Sequence, residues 1–149
     1  MFSVVYASPI PTMREILWGS MFEWSNQFDI SWLVMSDLND FAIPSEHKGK
    51  KKPSLTRCLK FQENLNRCGL IDLGFNGPCF TWTNCRKGLE NVQVRLDRCL
   101  ANPSWKEFFP EALLNHLPRT HSDHNPSLPG SLALSLRFRC CFPTGLETE

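Results

Sequence analysis

The spacing of apolar residues changes from that of a strand to that of a helix within the first third of the chain. Residues 2–6 form a short β-branched and aromatic run that ends at a proline-rich segment, which predicts a strand. Thr12 and Glu15 then form a capping box, which predicts a helix that begins at Thr12. Apolar residues follow at helical spacing, and we expect them to face the core: Met13, Leu17, Met21, Trp24 and Phe28.

A continuous apolar run at residues 31–35 predicts a buried strand, because strands that are covered on both faces carry apolar residues throughout. It ends abruptly in a polar segment that contains Asp37 and Asn39, and polar clusters at such ends commonly build sites. A second helix is predicted over residues 56–68, with Gly69 directly after it. One side of this helix is expected to contain Leu55, Leu59, Gln62, Leu65 and Cys68.

Shorter strand patterns fill the second half of the chain. They lie at residues 70–73, 80–83, 92–100, 112–117 and 132–136. In the third of them Val92, Val94, Leu96 and Leu100 alternate with other residues, so Arg95 and Asp97 share the opposite face. A short helix is predicted from Asn102–Pro103, and a polar loop over residues 119–126.

The composition is typical of a globular domain. The chain has 149 residues, of which 42% are hydrophobic and 21% are charged, and it is close to one average domain in size. Its 16 lysines and arginines nearly balance 15 aspartates and glutamates, which excludes a strongly basic protein that coats nucleic acid. A basic run remains at residues 48–52. We interpret it as a solvated loop, with phosphate-backbone contact or nuclear import as the alternatives.

The cysteines and the N-terminus bear on localisation. The seven cysteines include no CxxC pair and no zinc-finger spacing, which predicts reduced thiols in the cytosol or nucleus. The N-terminus lacks a basic segment followed by a long apolar one, so we expect no signal peptide. No apolar run approaches the ~18 residues of a membrane helix, and we expect no membrane partner. The expected location is therefore nuclear or cytoplasmic.

Three polar clusters, at residues 37–39, 95–98 and 122–124, each lie at the end of a strand pattern. Taken alone, each has an ordinary structural explanation: a turn, a surface ion pair or a loop. Together and in this order they resemble the endonuclease/exonuclease/phosphatase superfamily. Within it, the chain resembles the C-terminal half of the apurinic/apyrimidinic-endonuclease-like domain of plant LINE-type (non-LTR) retrotransposons. The matching segments are residues 5–9, 32–40, 68–75, 77–84, 95–98 and 116–124.

The resemblance implies a catalytic role for five residues. Tyr6 matches an active-site tyrosine near the phosphate. Asp37 and Asn39 match a motif in which the aspartate positions or activates the attacking water and the asparagine helps to orient it. Asp97 matches the aspartate that orients the catalytic histidine. His124 matches that histidine, which contacts the scissile phosphate and assists proton transfer.

The resemblance also implies a Mg²⁺ ion and a DNA partner. Asp123 matches an aspartate near the metal, and carboxylate, amide and water oxygens suit this hard cation. Trp82 lies where the family can pack an aromatic side chain against a nucleotide, although core packing is the interpretation we favour for it. The other expected contacts with nucleic acid are Arg95, Arg98 and Arg119.

The implied fold is α/β: the second half of a four-layer β-sandwich with flanking helices, over residues 1–137, followed by a divergent, frayed tail at 138–149. The first half of such a domain supplies a metal-binding glutamate, which neither Glu15 nor Glu23 replaces. We therefore expect a truncated, inactive endonuclease that self-associates through an uncovered sheet face. The alternative is a non-enzymatic retrotransposon remnant or a weak nucleic-acid-binding module.

Two positions depart from the pattern of the family. Ser36 replaces a glycine, and it would be strained if that position required a positive φ angle. Pro129 interrupts the expected last strand, so we expect this strand to be displaced or to start later.

Overall fold

The computed structural model describes residues 1–130, which form a mixed α/β fold and confirm the predicted fold class. The helices are α1 (Pro11–Gln27), α2 (Leu55–Arg67) and α3 (Pro103–Phe108), with 3-10 turns at Pro44–Glu46 and Gly88–Glu90. The strands are β1 (Phe2–Tyr6), β2 (Leu33–Asp37), β3 (His47–Lys48), β4 (Ile71–Asp72), β5 (Phe75–Asn76), β6 (Trp82–Thr83), β7 (Gln93–Val94), β8 (Asp97–Ala101), β9 (Leu113–His116) and β10 (Ser127–Gly130). None of these helices is long and apolar enough to cross a bilayer.

A four-stranded sheet with the order β1-β2-β8-β4 positions the predicted site. Strand β1 runs parallel to β2, and α1 makes the long crossover that parallel neighbours require. Strand β8 is antiparallel to both β2 and β4. The register places Tyr6 opposite Asp37, and Asp37 opposite Asp97. Three residues of the predicted site therefore meet at one end of this sheet.

The main sheet is covered differently on its two faces. On one face, Val34 belongs to a core cluster with Trp18 of α1 and Phe61 of α2. On the other face, Cys99 forms a smaller cluster with Leu114 of β9. Because neighbouring residues of a strand point to opposite faces, the covered part of β2 is apolar at residues 33–35, as the sequence predicts, and that of β8 at residues 99–101. The polar residues of both strands lie together at the other end of the pairing.

Two three-stranded sheets, β10-β9-β5 and β3-β7-β6, adjoin the main sheet. The strand pattern at residues 92–100 is interrupted at Arg95 and Leu96, so β7 joins a small sheet and β8 joins the main one. At this break the backbone N–H groups of Leu96 and Asp97 both donate to the hydroxyl of Thr81. The break therefore turns the chain just before Asp97.

Helix α1 begins at Pro11, one residue before the predicted start at Thr12. Ile10 is its N-cap and no side chain caps the helix, so the predicted capping box with Glu15 does not form. Proline suits the first helical position because its ring presets φ and its missing N–H needs no partner there. Glu15 instead pairs with Lys60 of α2, with 2.8 Å between the carboxylate oxygen and Nζ.

The buried face of α1 differs from the predicted one. The fully buried side chains are Arg14, Trp18 and Met21. Met21 alone belongs to the predicted apolar set, and Leu17 is partly buried against the core. The rest of that set is exposed: Met13, Trp24 and Phe28. The helix carries apolar residues on several sides, so its spacing could not specify which side meets the sheet.

Helix α2 agrees with the prediction at its ends and in part of its buried face. The hydroxyl of Ser54 accepts the N–H of Arg57 at the start, and Gly69 follows the helix with a φ of +61°. Of the five residues predicted to line one side, Leu65 and Cys68 are buried, whereas Leu55 and Leu59 are exposed. The buried side chains are Cys58, Phe61, Asn64 and Leu65.

The two departures from the family pattern have structural explanations. Ser36 lies in extended backbone within β2, so it carries no strain, and the left-handed residue is instead Asn39, with φ +47°. The segment after Pro126 does form a strand, β10, in which Pro129 lies opposite Leu114 of β9. Proline is tolerated there because β10 is an edge strand of its sheet. The strand predicted at 132–136 and the tail lie outside the described residues.

Candidate active site

A pocket of about 450 Å³ opens at the end of the main sheet where β1, β2 and β8 meet β6. It is lined by six of the residues predicted to form the site: Tyr6, Asp37, Asn39, Trp82, Asp123 and His124. Asp97 contacts His124 from behind this wall. Three further polar or aromatic residues line the pocket, and the sequence did not identify them: Phe41, His47 and Arg57.

Asp37 and Asn39 form one hydrogen-bonded unit at the end of β2. The backbone N–H of Asn39 donates to Asp37 Oδ1 at 2.9 Å. The Asn39 side-chain Nδ2 donates to the carbonyl of Ala7 at 2.9 Å and to Asp37 Oδ2 at 3.3 Å. Asparagine tolerates the left-handed backbone that this turn requires. The amide of Asn39 is therefore fixed between the end of β1 and the Asp37 carboxylate.

Asp97 and His124 form the second unit. Nδ1 of His124 lies 3.1 Å from Asp97 Oδ2, and its Nε2 lies 3.9 Å from Asp37 Oδ2. The hydrogen bond with Asp97 raises the pKa of His124, partial burial lowers it, and the charges of Asp97, Asp37 and Asp123 raise it again. The net effect is a pKa above the usual value, which favours the protonated imidazole.

Two carboxylates of like charge face each other in this site. Asp37 and Asp97 are direct partners across β2 and β8, an arrangement that destabilises a sheet. Burial raises the pKa of Asp37, the N–H of Asn39 lowers it, and the charge of Asp97 raises it, with a net increase. Clustered groups with shifted pKa values in a pocket are typical of functional sites.

The donor set fits a divalent cation. Asp37, Asp97 and His124 each offer one ligand atom, and these atoms lie within 4.8 Å of one another. A cation there would relieve the repulsion between the two carboxylates. Asp123, the predicted metal ligand, stands outside this group: its exposed carboxylate accepts Trp82 Nε1 at 3.1 Å and the hydroxyl of Ser122 at 3.3 Å.

Trp82 both packs and lines the pocket. Its ring is partly buried beside a cluster that contains Val94, in agreement with the packing interpretation. Its indole N–H holds Asp123, and its backbone forms an isolated bridge with His124. Strand β6 therefore fixes the polar loop that carries both residues against the pocket.

Thr81 holds together the two segments that carry Asp97 and His124. It is fully buried, and its hydroxyl accepts the N–H groups of Leu96 at 2.9 Å and Asp97 at 3.0 Å. Its carbonyl accepts the N–H of Asn125 at 2.7 Å, directly after His124. A hydroxyl on an inward position of a predicted strand was the one available signal, since a buried hydroxyl needs a partner.

Arg95 and Arg98, which were predicted to contact nucleic acid, lie in the interior instead. Their relative exposures are 4% and 1%. Each guanidinium pairs with both Glu46 and Asp72, so neither can reach a ligand in the pocket. Both acids lie far away in sequence, so the pairing could not be recognised from local spacing. Arg119 is partly exposed and does not line the pocket.

Comparisons with known proteins support the fold. No family model and no curated protein matches the chain. The solved endonuclease domain of TRAS1, a telomere-specific non-LTR retrotransposon, is similar, with a TM-score of 0.57 and 18% identity over 82% of this chain and 52% of that one. A beta toxin from Staphylococcus aureus is similar, with a TM-score of 0.54 and 15% identity over 86% of this chain and 51% of the toxin.

The chain thus spans about half the length of these solved structures. At such low identity the likeness establishes the fold alone.

Proposed function

We propose that the pocket is the hydrolytic site of a Mg²⁺-dependent endonuclease that nicks DNA, of the kind found in plant LINE-type retrotransposons. We further propose that the chain corresponds to the C-terminal half of such a domain. The observation that carries the proposal is the meeting of Asp37, Asn39, Asp97 and His124 at one end of the main sheet. The endonuclease-like fold and the half-length match to the TRAS1 domain support it.

The residues present suit phosphodiester hydrolysis. Mg²⁺, when bound, supplies polarisation of the phosphate and stabilisation of the charge that develops on it. Asp37 and Asp97 offer the carboxylate oxygens that this hard cation prefers, so they would hold it. His124 is the poorer ligand for Mg²⁺, and its raised pKa suits it to donate a proton towards the phosphate or leaving group.

The attacking water would be oriented by Asp37 and Asn39. Burial raises the pKa of Asp37, and a bound cation would oppose that shift, so its carboxylate would meet the water as a charged acceptor. The Asn39 amide is held by Ala7 and Asp37 and needs no rearrangement to meet a polar group in the pocket. Tyr6, 73% exposed at the end of β1, would stand beside the phosphate.

We also propose that the chain alone does not turn over substrate. Among residues 1–130, no glutamate lines the pocket. The nearby Glu46 is committed to Arg95 and Arg98, as described above. Metal affinity would therefore rest on two aspartates and on whatever the other half of the domain contributes.

Binding without cleavage is the second candidate function, and the surface charge favours it. Lys48 of β3, the exposed lysines that follow it, and Arg86 and Lys87 in the β6–β7 connection lie on the small sheet that borders the pocket. Such exposed cations bind phosphate backbones without reading sequence, and the binding weakens steeply with salt. Arg95 and Arg98 no longer contribute to this candidate, because they are buried.

The test is nicking of supercoiled plasmid in Mg²⁺ and in EDTA by the wild type, His124→Ala and His121→Ala. His121 is an exposed histidine three residues from His124 and is the matched control. We expect no nicking by the chain alone. Mg²⁺-dependent nicking that His124→Ala abolishes and His121→Ala retains would establish the site and disprove the proposed inactivity.

If no nicking occurs, metal binding decides between the two candidates. Binding of Mn²⁺, measured by electron paramagnetic resonance, should be weakened by Asp37→Asn if the pocket is a metal-dependent site. Salt-sensitive DNA binding that is the same in the wild type and Asp37→Asn, without any Mn²⁺ binding, would favour the binding module.

A further inference from the structure

Three buried charged side chains and the half-buried Asp72 form a group behind the pocket. We call Glu46, Asp72, Arg95 and Arg98 the buried charge cluster. Arg95 lies 2.8 Å from Glu46 and 2.9 Å from Asp72, and Arg98 lies 2.6 Å from Asp72 and also pairs with Glu46. Two acids balance two bases, so the cluster carries no net charge. Each acid thus contacts both arginines.

The cluster is ionised despite its burial. Burial raises the pKa of Glu46, but hydrogen bonds and charge from Arg98 and Arg95 lower it below the usual value. Asp72 behaves in the same way, with burial opposed by Arg95 and Arg98. The rings of Phe75 and Phe61 cover the two guanidinium groups.

Glu46 makes contacts that Asp72 does not. Its Oε2 accepts the backbone N–H of Ala42 at 2.7 Å and of Ile43 at 3.4 Å. Its carbonyl accepts the N–H of Arg95 at 2.9 Å. Asp72 instead accepts the N–H of Gly74, on the side of β4. Glu46 therefore joins the loop that follows Asn39 to the segment that precedes Asp97.

This connection lies just beyond the end of the β2–β8 pairing, where the sheet no longer joins the two segments. The β2–β8 ladder ends at the pair Asp37 and Asp97. Leu38 still donates its N–H to the carbonyl of Leu96 at 3.1 Å, and the chain then turns through the left-handed Asn39. Beyond this turn the two segments diverge, and the carboxylate and carbonyl of Glu46 join them again.

We infer that Glu46 is a positioning residue: it ties the loop after Asn39 to the arginines that flank Asp97, and thereby sets the Asn39 amide and the Asp37 carboxylate relative to Asp97. Asp72, which holds the same arginines, has no such effect on the pocket. The meaning of this role for catalysis rests on the proposed function, but the geometry can be measured without any activity.

The experiment compares Glu46→Gln with Asp72→Asn in the full chain. Both changes remove one negative charge from the same cluster and leave the arginines with the other carboxylate, so loss of charge alone predicts the same result for both. The readout is the pair of side-chain amide resonances of Asn39 in a ¹⁵N-resolved NMR spectrum, which report the bonds to Ala7 and Asp37. We expect them to shift or broaden in Glu46→Gln and to stay in place in Asp72→Asn. Equal effects in both variants, or none in Glu46→Gln, would overturn the inference.

A second pair of variants covers a failure to fold, because removing one partner of a buried ion pair is costly. Glu46→Gln/Arg95→Gln and Asp72→Asn/Arg95→Gln are both charge-balanced, and each leaves Arg98 with one carboxylate. The Asn39 resonances should again move only in the variant that lacks the Glu46 carboxylate. A shift specific to Glu46, together with a wild type that binds no Mn²⁺, would support the positioning role and count against the proposed endonuclease.

Discussion

At the level of single residues, the arrangement of Asp37 and Asp97 indicates a functional site. Their carboxylates face each other across two strands, where like charges cost stability, and His124 compensates only in part. Asn39 occupies a left-handed conformation directly beside them. Locally unfavourable features at the edge of a pocket are typical of functional sites, because apolar residues could replace them if they had no function.

At this scale, Thr81→Val tests what holds Asp97 in place. The change keeps the shape of the side chain but leaves the N–H groups of Leu96 and Asp97 without an acceptor. We expect the free energy of unfolding to fall by about 1–3 kcal/mol. We also expect the amide hydrogen of Asp97 to exchange faster with solvent.

Two controls separate the hydroxyl from the packing. Thr81→Ser keeps the acceptor and should retain slow exchange at Asp97. Thr83→Val removes an equally buried hydroxyl whose partners, including the carbonyl of Val92, lie in the hairpin, and it should leave Asp97 unaffected. Slow exchange at Asp97 in Thr81→Val would contradict the assigned role.

His124 predicts a pH dependence of stability at the same scale. Its pKa is raised in the folded state, so folding favours the protonated form. Its contribution is fully present below the unfolded value of about 6.5 and is lost as pH rises through the folded pKa. The stability difference between the wild type and His124→Ala, measured in EDTA, should therefore be largest near pH 6 and shrink towards pH 9.

The variant His121→Ala removes an exposed histidine three residues away and is measured in parallel as the control. A difference for His124→Ala that stays constant from pH 6 to pH 9 would mean that the imidazole contributes by packing and not by charge.

Among the secondary-structure elements, a break in a strand pattern positions the site residues more than the regular strands do. The break between β7 and β8 lets one continuous strand pattern serve two sheets, and it brings Asp97 under Thr81. Between the strand patterns at residues 70–73 and 80–83 lies the short strand β5, which pairs with β9. This pairing places Phe75 against His116, with ring centroids 4.7 Å apart. This short element therefore contributes a stacked ring contact within the β10-β9-β5 sheet.

Gly77 and Gly74 offer a matched pair of changes in this region. Both have positive φ angles, of +97° and +77°. A Cβ at Gly74 meets nothing within 4 Å, whereas one at Gly77 would overlap the carbonyl oxygen of His116. Gly74→Ala should cost about 1–2 kcal/mol for the left-handed backbone alone. Gly77→Ala should cost clearly more, as measured by urea denaturation, and equal losses would show that β9 moves away freely.

For the whole molecule, the notable surface feature is the exposed face of β1 that lies opposite the helices. Val5 points into the core beneath α1, so Val4 and Tyr6 point the other way and are 77% and 73% exposed. We proposed from the sequence that such a face promotes self-association. The matched structures are about twice as long as the segment that they share with this chain.

The variant Val4→Lys tests whether the exposed face of β1 drives self-association. We expect the wild type to associate in a concentration-dependent way in sedimentation equilibrium, because an exposed apolar strand at a sheet edge favours pairing. Val4→Lys should shift the equilibrium towards the monomer by placing a charge on that face. Ile16→Lys, on the exposed side of α1 at 64% exposure, is the matched control and should leave association unchanged.

A monomeric wild type, or equal effects of the two lysine variants, would show that the β1 face does not drive association.

Local pattern determined a large part of this fold. The bounds of β1, the polar end of β2, the ends of α2 and the helix after Asn102 all follow from the spacing of apolar residues and from capping residues. The element bounds depend on neighbours within a few positions, and that information is written in consecutive residues. The family resemblance carried by the ordered clusters around Asp37, Asp97 and His124 pointed to residues that the structure brings together.

Tertiary structure alone decided which side chains face each other. It buried Arg95 and Arg98 against Glu46 and Asp72, left Asp123 outside the group of metal-ligand candidates, and placed Thr81 behind Asp97. It also selected the buried sides of α1 and α2, both of which carry apolar residues on more than one side. Such choices depend on the pairing of segments that are distant in sequence, and the packing of the complete sheet and helices determines that pairing.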